Sequence, residues 1–309
     1  MTLADKRIYD VVIVGGGPAG LTAGLYTARA RLKSLLIEKA LIGGQITNAE
    51  RVENFPGFPE GISGFDLGQL IHQQATKFGL ETLNAEVTGV ELKEEKVVKT
   101  TEGDFTTKTI IFAGGSKYST LGVPGEAEFT GKGVSYCATC DAPFFRDRPV
   151  AVVGGSDAAI TEALHLVDFA SKVTVIHRRD QLRAVAILQE RAFAEPKIEF
   201  RWNSTVDSIE GEDFVKSLRL NNVKTGKKSA LKVSGVFVSI GFQPDTGYLK
   251  GILPLDSTGH IITGERLETE IPGVFAAGDI RQNSARQAIA AAGDGATAAV
   301  YAHRFLTGQ

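Results

Sequence analysis

Apolar runs and glycine turns alternate along the chain in an order that repeats. A β-branched run at 9–14 breaks into Gly15-Gly16-Gly17-Pro18-Ala19-Gly20, and 21–31 then reads as a helix. A second strand at 34–37 ends on Glu38, so the segment predicts a βαβ unit. Near Pro149 the same order returns: a strand at 150–153, Gly154-Gly155-Ser156-Asp157-Ala158-Ala159, a helix reaching about 170, and a strand at 172–176. Two nucleotide-type units in one chain predict an internal duplication of folds. Strands follow the first unit at 87–92, 96–101 and 109–112, the last running into Ala113-Gly114-Gly115. The second unit ends near 236–241. The tail, strand-like at 259–262 and 272–279 and helical from about Ser284, is similar to a piece of the first domain. The predicted class is α/β, with two Rossmann-like nucleotide-binding domains on parallel central sheets, the second inserted into the first. Residues 1–117 and 247–309 form one predicted domain, and 118–246 the other.

Composition agrees with this plan and narrows the function. At 309 residues, 43% hydrophobic and 23% charged, the chain is longer than one core needs. Lysine plus arginine (34) nearly cancels aspartate plus glutamate (36), and no long run carries one sign. That balance disfavours nucleic-acid and membrane-surface binding. The N-terminal segment has no apolar signal-peptide region, and no stretch approaches the roughly 18 apolar residues of a membrane span. The sequence therefore reads as soluble and cytoplasmic. Glycine stands out at 35 residues, placed mainly after apolar runs, where backbones approach phosphates.

Gly15-x-Gly17-x-x-Gly20 follows a strand, opens a helix and is answered by Glu38 after the next strand. Such a turn lets backbone approach a pyrophosphate, the helix N-terminus favours the anion, and the carboxylate accepts from a ribose. The second unit reads Gly154-x-Ser156-x-x-Ala159, and His177-Arg178-Arg179 replaces the acid, with Arg183 one turn on. Cations there pair with a 2′-phosphate, so this unit is expected to prefer NADPH to NADH. Serine in place of the middle glycine either crowds the pyrophosphate or donates to it. The only cysteines are Cys137 and Cys140 in Cys-Ala-Thr-Cys, followed by Asp141. A C-x-x-C without a second pair of soft ligands reads as redox chemistry rather than zinc, with Asp141 a candidate acid or base. Two nucleotide sites and one dithiol make a relay: hydride from a nicotinamide to a flavin, then two electrons to a disulfide.

Along almost its whole length the chain resembles low-molecular-weight thioredoxin reductase. The likeness runs through Gly15 to Gly20, Gly43-Gly44-Gln45, Val52-Glu53-Asn54-Phe55-Pro56-Gly57, Gly122-Val123-Pro124-Gly125-Glu126, the dithiol motif, His177-Arg178-Arg179 and 273–279 with Arg286-Gln287. The resemblance implies FAD on the first and last segments, contacted by Gly15, Gly17, Pro18, Ala19, Gly20, Glu38, Lys39, Gly43, Val87, Ala113, Gly114 and Gly278. Gly44, Gln45 and Asn54 would lie around the isoalloxazine. Asp279 would accept from the ribityl chain, and Arg286, Gln287 and the Ala288 amide would face the pyrimidine side. NADPH would take Gly154, Ser156, Asp157, Ala159, His177, Arg178, Arg179 and Arg183. Cys140 would receive electrons from the flavin, Cys137 would attack the partner disulfide, and Asp141 would handle the proton. The resemblance also implies a thioredoxin or thioredoxin-like partner, a homodimer, and rotation of the inserted domain about hinges at 117–121 and 241–247. Ala285 stands where relatives often carry an aromatic residue and Gln282 where an acid is common, both expected against the flavin.

Other functions fit parts of this pattern. A ferredoxin-linked reductase of the same fold loses the basic nucleotide motif, which is present here. The flavin subunit of a peroxidase system carries an added N-terminal thioredoxin-like region, whereas this chain begins at the glycine fingerprint. A dithiol oxidase has no need of the second nucleotide unit. A non-catalytic flavin redox sensor shares every motif and separates only by turnover.

Overall fold

The first apolar run forms strand β1 (Ile8–Val14), in which Val11, Val12 and Ile13 are fully buried. A parallel strand covered on both faces has no polar side to present, which is why the run is continuous rather than alternating. The computed structural model describes residues 8–49 and 51–309. Residues 1–7 and Glu50, within the span expected of the first domain, lie outside the described residues. After β1 come α1 (Pro18–Arg29), β2 (Ser34–Glu38), α2 (Gly64–Thr76), β3 (Glu81–Asn84), β4 (Val87–Leu92), β5 (Lys96–Thr100), β6 (Gly103–Phe112) and β7 (Ser116–Tyr118). The chain then enters a second unit with β8 (Val134–Ser135), α3 (Ala138–Asp141), β9 (Pro149–Gly154), α4 (Asp157–Leu166), β10 (Lys172–Ile176), α5 (Ala186–Ala194) and β11 (Ile198–Arg201). That unit continues through β12 (Ser204–Gly211), β13 (Val215–Asn222), β14 (Lys228–Lys232) and β15 (Gly235–Ser239). The return runs through β16 (Phe242–Pro244), β17 (Val274–Ala276) and α6 (Ala288–Thr307).

By contacts the units are 1–117 with 243–309, and 118–242. The return falls at 242/243 rather than 246/247. Thr246 and Leu249 are buried in the first unit, and the Asp245 amide donates to Gly115. The two connecting stretches, β7 and β16, pair with each other.

In the first unit β1 lies between β2 and β6, parallel to both, with Val12 opposite Leu35 and Ile110. The central strands β3, β2, β1, β6 and β17 are parallel, as expected, and β4 and β5 add an antiparallel pair to the same sheet. Residues 103–107 of β6 pair antiparallel with β5, which continues antiparallel to β4, while 110–112 pair parallel with β17. The short links from β4 to β5 and from β5 to β6 permit only hairpins, and hairpins are antiparallel. The return leg therefore completes the sheet beside the last three residues of β6.

Helices α1 and α6 pack closely because their contact face is made of small residues. Ala291, Ala298 and Ala302 are buried on α6, and a Cβ added to Gly295 would lie 2.0 Å from the Ala19 carbonyl oxygen. Helix α6 starts four residues after the predicted Ser284, because Asn283 and Arg286 hold φ of 57° and 55°, left-handed values that a right-handed helix cannot include.

In the second unit β11-β10-β9-β15-β8 form a parallel sheet, as expected of a nucleotide fold. An antiparallel sheet of β12, β13 and β14 lies beyond the predicted elements. Its apolar positions Val206, Ile209, Leu218 and Leu220 cluster with Val153, Val236 and Val238 from the parallel sheet. Along β13 the buried Leu218 and Leu220 flank the exposed Arg219, as in a sheet with one face covered.

Candidate functional site

The first glycine turn is shaped by backbone crowding. Gly15 has φ of 109°, and a Cβ on it would lie 2.3 Å from the Ala113 carbonyl oxygen. A Cβ on Gly20 would lie 1.8 Å from the Gly15 carbonyl oxygen, so any larger residue at either position displaces the turn. Gly17 precedes α1, Pro18 fills its first position, and no side chain caps the helix. Its first-turn N–H groups and partial positive charge therefore remain available for an anion. Glu38 spans the mouth of the turn, accepting from the Gly16 amide at 2.6 Å and the Ala40 amide at 2.9 Å. A carboxylate offers about four acceptor positions, so it can still take two ribose hydroxyls.

Beside this turn lies a cleft of about 460 Å³ lined by Gly15, Glu38, Lys39, Val87, Gly114 and, from the return leg, Asp245 and Tyr248. Five of those seven are residues singled out in the sequence. The ammonium of Lys39 donates to Asp245 at 2.9 Å, and the neighbouring carboxylate raises its pKa. Gly43 and Gly44 close over the turn: the Gly43 amide donates to Gly16, and a Cβ on Gly44 would lie 2.9 Å from Gly17 Cα.

A second group gathers where α6 begins. Asn54 Nδ2 donates to Gln287 Oε1 at 3.0 Å, and Gln45 Nε2 reaches the Ser116 carbonyl at 3.3 Å. Gln287 precedes α6 without capping it, so the helix starts at Ala288 with no side chain across its end. Gly278 packs against Ala19 and Ala291, and Asp279 accepts from the Ser284 hydroxyl at 2.7 Å. Gln282 Nε2 donates to the Thr263 carbonyl.

Sequence reading missed Asp294, which holds this end together. Its carboxylate takes Arg281 through two bonds of 2.7 and 2.8 Å and accepts from the Gly278 amide at 3.0 Å. A lone acid among the alanines and glycines at 290–296 was the available signal, since a charge on a buried small-residue stripe needs a partner.

In the second unit Cys137 and Cys140 form a disulfide across the start of α3. Cys137 is the N-cap, its Sγ facing the Cys140 amide at 3.2 Å, and its own amide donates to Ser135 Oγ at 3.1 Å. Asp141 ends α3, its amide donating to the Cys137 carbonyl. Cys140 is exposed and Cys137 half-buried. Tyr136, just before them, donates to Glu126 at 2.8 Å, and burial next to that carboxylate pushes its phenol up to about 12. Glu126 also accepts from the Leu121 and Gly122 amides, which accounts for an acid ending the Gly-Val-Pro-Gly-Glu turn.

The second glycine turn repeats the first with local changes. A Cβ on Gly154 would lie 2.3 Å from the Ser239 carbonyl oxygen and 2.6 Å from the Ala159 methyl. Ser156 is the N-cap of α4, and its hydroxyl makes no capping bond, leaving it free to donate. Asp157 accepts from the Val185 amide, and the Arg183 amide donates to Gly155, so the basic loop folds back on the turn. Arg178, Arg179 and Arg183 are exposed. His177 differs from the cationic role expected of it. It is buried against Gly155, its Nε2 has no hydrogen-bond partner, and burial lowers its pKa, so the positive charge of the loop rests on the arginines.

Two glycine turns and a C-x-x-C disulfide define a pyridine nucleotide-linked flavin disulfide reductase. Residues 9–295 match the pyridine nucleotide-disulphide oxidoreductase family, to which the chain belongs and whose cofactors here are FAD and NADPH. Within it the chain falls among the low-molecular-weight thioredoxin reductases. It is 46% identical over 299 residues to thioredoxin reductase of Bacillus subtilis, covering 96% of this chain and 94% of that one. Identity to the Streptomyces coelicolor enzyme is 48% over 308 residues, covering 98% and 95%. The crystal structure of Lactococcus lactis thioredoxin reductase matches with a TM-score of 0.95 at 44% identity, over 97% of this chain and all of that one. The residues described above fit a dinucleotide in each unit: uncapped helix starts, glycines that a Cβ would close, and a cleft walled by Glu38. Among the described residues no helix is long and apolar enough to cross a membrane.

Proposed function

We propose that the protein is a thioredoxin-disulfide reductase that passes electrons from NADPH through FAD and the Cys137–Cys140 pair to the disulfide of a thioredoxin-like protein. The observation that carries this reading is the disulfide at the start of α3, in the unit that also bears the arginine-rich nucleotide turn. Bound FAD supplies the exchange between a two-electron hydride and thiol chemistry. Gly15, Gly17, Gly20 and the start of α1 would hold its pyrophosphate, and Glu38 its ribose. Asn54, Gln287 and the start of α6 would face the ring. Arg178, Arg179 and Arg183 would hold the 2′-phosphate of NADPH. Two electrons and one proton open the Cys137–Cys140 bond to a thiol and a thiolate, with Cys140 the sulfur that receives them. The Cys137 thiolate then attacks the partner disulfide, forming a mixed disulfide and releasing one partner thiolate. Cys140 resolves that bond, regenerating the Cys137–Cys140 disulfide and the second partner thiol. Asp141 would carry the proton between sulfur and solvent. The balance is NADPH, a proton and one disulfide giving NADP⁺ and a dithiol.

The same reading extends to a cytoplasmic homodimer; sedimentation of the purified chain tests the dimer, and fractionation of the cells tests the location. Steady-state anaerobic reduction of a thioredoxin with NADPH and with NADH tests the function. Turnover with strong NADPH preference is the expected result. Flavin reduction without thioredoxin turnover would assign another disulfide partner, and turnover only with reduced ferredoxin would overturn the NADPH assignment.

A further inference from the structure

The basic loop after β10 carries one charge of the wrong sign for an anion site. Within 177–183 the single acid is Asp180, directly after Arg178 and Arg179. Among the described residues no carboxylate pairs with Arg178, Arg179 or Arg183, so these three cations stay available to a phosphate. Asp180 instead meets Lys224, whose ammonium donates to its Oδ2 at 2.6 Å. The lysine comes from the turn between β13 and β14, 44 positions further along the chain. Its ammonium holds the Asp180 carboxyl below the ordinary carboxylate range, so the acid keeps its negative charge.

Backbone bonds fasten the turn to the loop independently of that ion pair. The Asn203 amide donates to the Arg179 carbonyl at 3.1 Å, and the Val223 amide donates to the Asn203 carbonyl at 2.7 Å. Asn203 holds φ of 52°, a left-handed value that asparagine tolerates better than most residues. The Asn222 side chain then accepts from the Lys224 and Thr225 amides at 3.1 and 3.0 Å, closing the turn that presents the lysine. Both members of the pair are exposed, and exposed pairs contribute little to stability. The worth of this one lies in the charge it places beside the arginines.

We propose that Lys224 is a specificity-determining residue for NADPH, neutralising an aspartate that otherwise opposes the 2′-phosphate on the arginine loop. The inference rests on the reading that this loop takes the 2′-phosphate. Asp180 directly follows Arg179, so its carboxylate acts on an anion held by that arginine across about one Debye length, roughly 10 Å. A nucleotide without the 2′-phosphate brings no charge to the loop, and its binding is indifferent to Lys224. Sequence reading counted only the cations of the loop, because the neutralising lysine belongs to the antiparallel sheet.

The test is a double-mutant cycle on the FAD-loaded protein: Lys224→Gln, Asp180→Asn and both together, each titrated with NADP⁺ and NAD⁺ by calorimetry at low salt. Lys224→Gln should bind NADP⁺ about three- to tenfold more weakly, the effect in water of one uncovered carboxylate near a phosphate, and should bind NAD⁺ as wild type does. The double variant should recover wild-type affinity for NADP⁺, and Asp180→Asn alone should bind it at least as tightly as wild type. Salt at about 0.5 M should abolish the loss in Lys224→Gln. Unchanged NADP⁺ affinity in Lys224→Gln would overturn the proposal. So would an equal loss for NAD⁺, or a loss that persists in the double variant, either of which would mark a structural turn. Wild-type protein with no preference for NADP⁺ over NAD⁺ would instead remove the reading of the loop, and this inference with it.

Discussion

Asn54 donates to Gln287 at 3.0 Å although 233 positions separate them. The bond ties the loop after the Gly43-Gly44 segment to the residue just before α6. Gln287 thereby leaves the α6 amides uncapped. If those amides face the flavin, Asn54→Ala should loosen flavin by about fivefold, the value of one net hydrogen bond of about 1 kcal/mol. Flavin released on dilution, followed by fluorescence, measures this. Unchanged release would place the pair away from the cofactor.

Cys137→Ser and Cys140→Ser should each lower thioredoxin turnover roughly a thousandfold or more, since the two sulfurs act as one unit. NADPH should still bleach the yellow flavin band in both. Full thioredoxin turnover in Cys137→Ser would refute the assigned attack.

Arg178 and Arg179 are exposed beside the second glycine turn. Replacing both by alanine should raise KM for NADPH about 10- to 100-fold, as expected for charge-assisted bonds to a phosphate. KM for NADH should hardly move. Equal changes in the two would exclude 2′-phosphate recognition by this loop.

Glu162 on α4 has a carboxyl oxygen that is buried and unpartnered, and burial pushes its pKa up to about 8 from an ordinary 4.5. Between those values the folded chain holds a proton that the unfolded chain has released. Its contribution to stability is therefore fully present below about 4.5 and lost as pH rises through about 8. Glu162→Gln has no such proton to lose, so its melting temperature should gain on wild type from pH 5 to pH 8. Parallel melting curves across that range would show that Glu162 is solvated.

Asp294→Ala should destabilise the protein by on the order of 3 kcal/mol, because it strands Arg281 with most of its side chain buried. Urea unfolding of the flavin-free chain measures this. A loss below about 1 kcal/mol would mean that water replaces the carboxylate.

Much of the fold was legible because the parallel strands are buried on both faces and so stand out as unbroken apolar runs. Strands β4 and β10 occupy the predicted residues, and β1 and β2 differ from prediction by one residue. What was hidden depended on partners distant in sequence. The β12–β14 sheet has one wet face and blends with loop composition. The start of α6 is set by the left-handed Arg286, which no residue preference announces. At the site, both glycine turns, Glu38 and the cysteines were readable because each needs a particular residue type at a fixed spacing. Asp294 acts through Gly278 and Arg281, brought near by folding from before the helix that carries it, and a residue-by-residue pattern does not reveal that pairing. His177 shows the opposite error: a basic-looking triplet contains one ring that folding buries.

Strand β6 has consequences for the order in which the molecule can form. Its last residues, 110–112, remain an open edge until β17 arrives, and α1 lacks its partner until α6 is made. A chain emerging N-terminus first has all of 118–242 available before either piece exists. The inserted unit can thus finish folding while the unit that encloses it in sequence is still waiting, and the N-terminal glycine turn, first to be synthesised, is among the last parts to be supported from both sides.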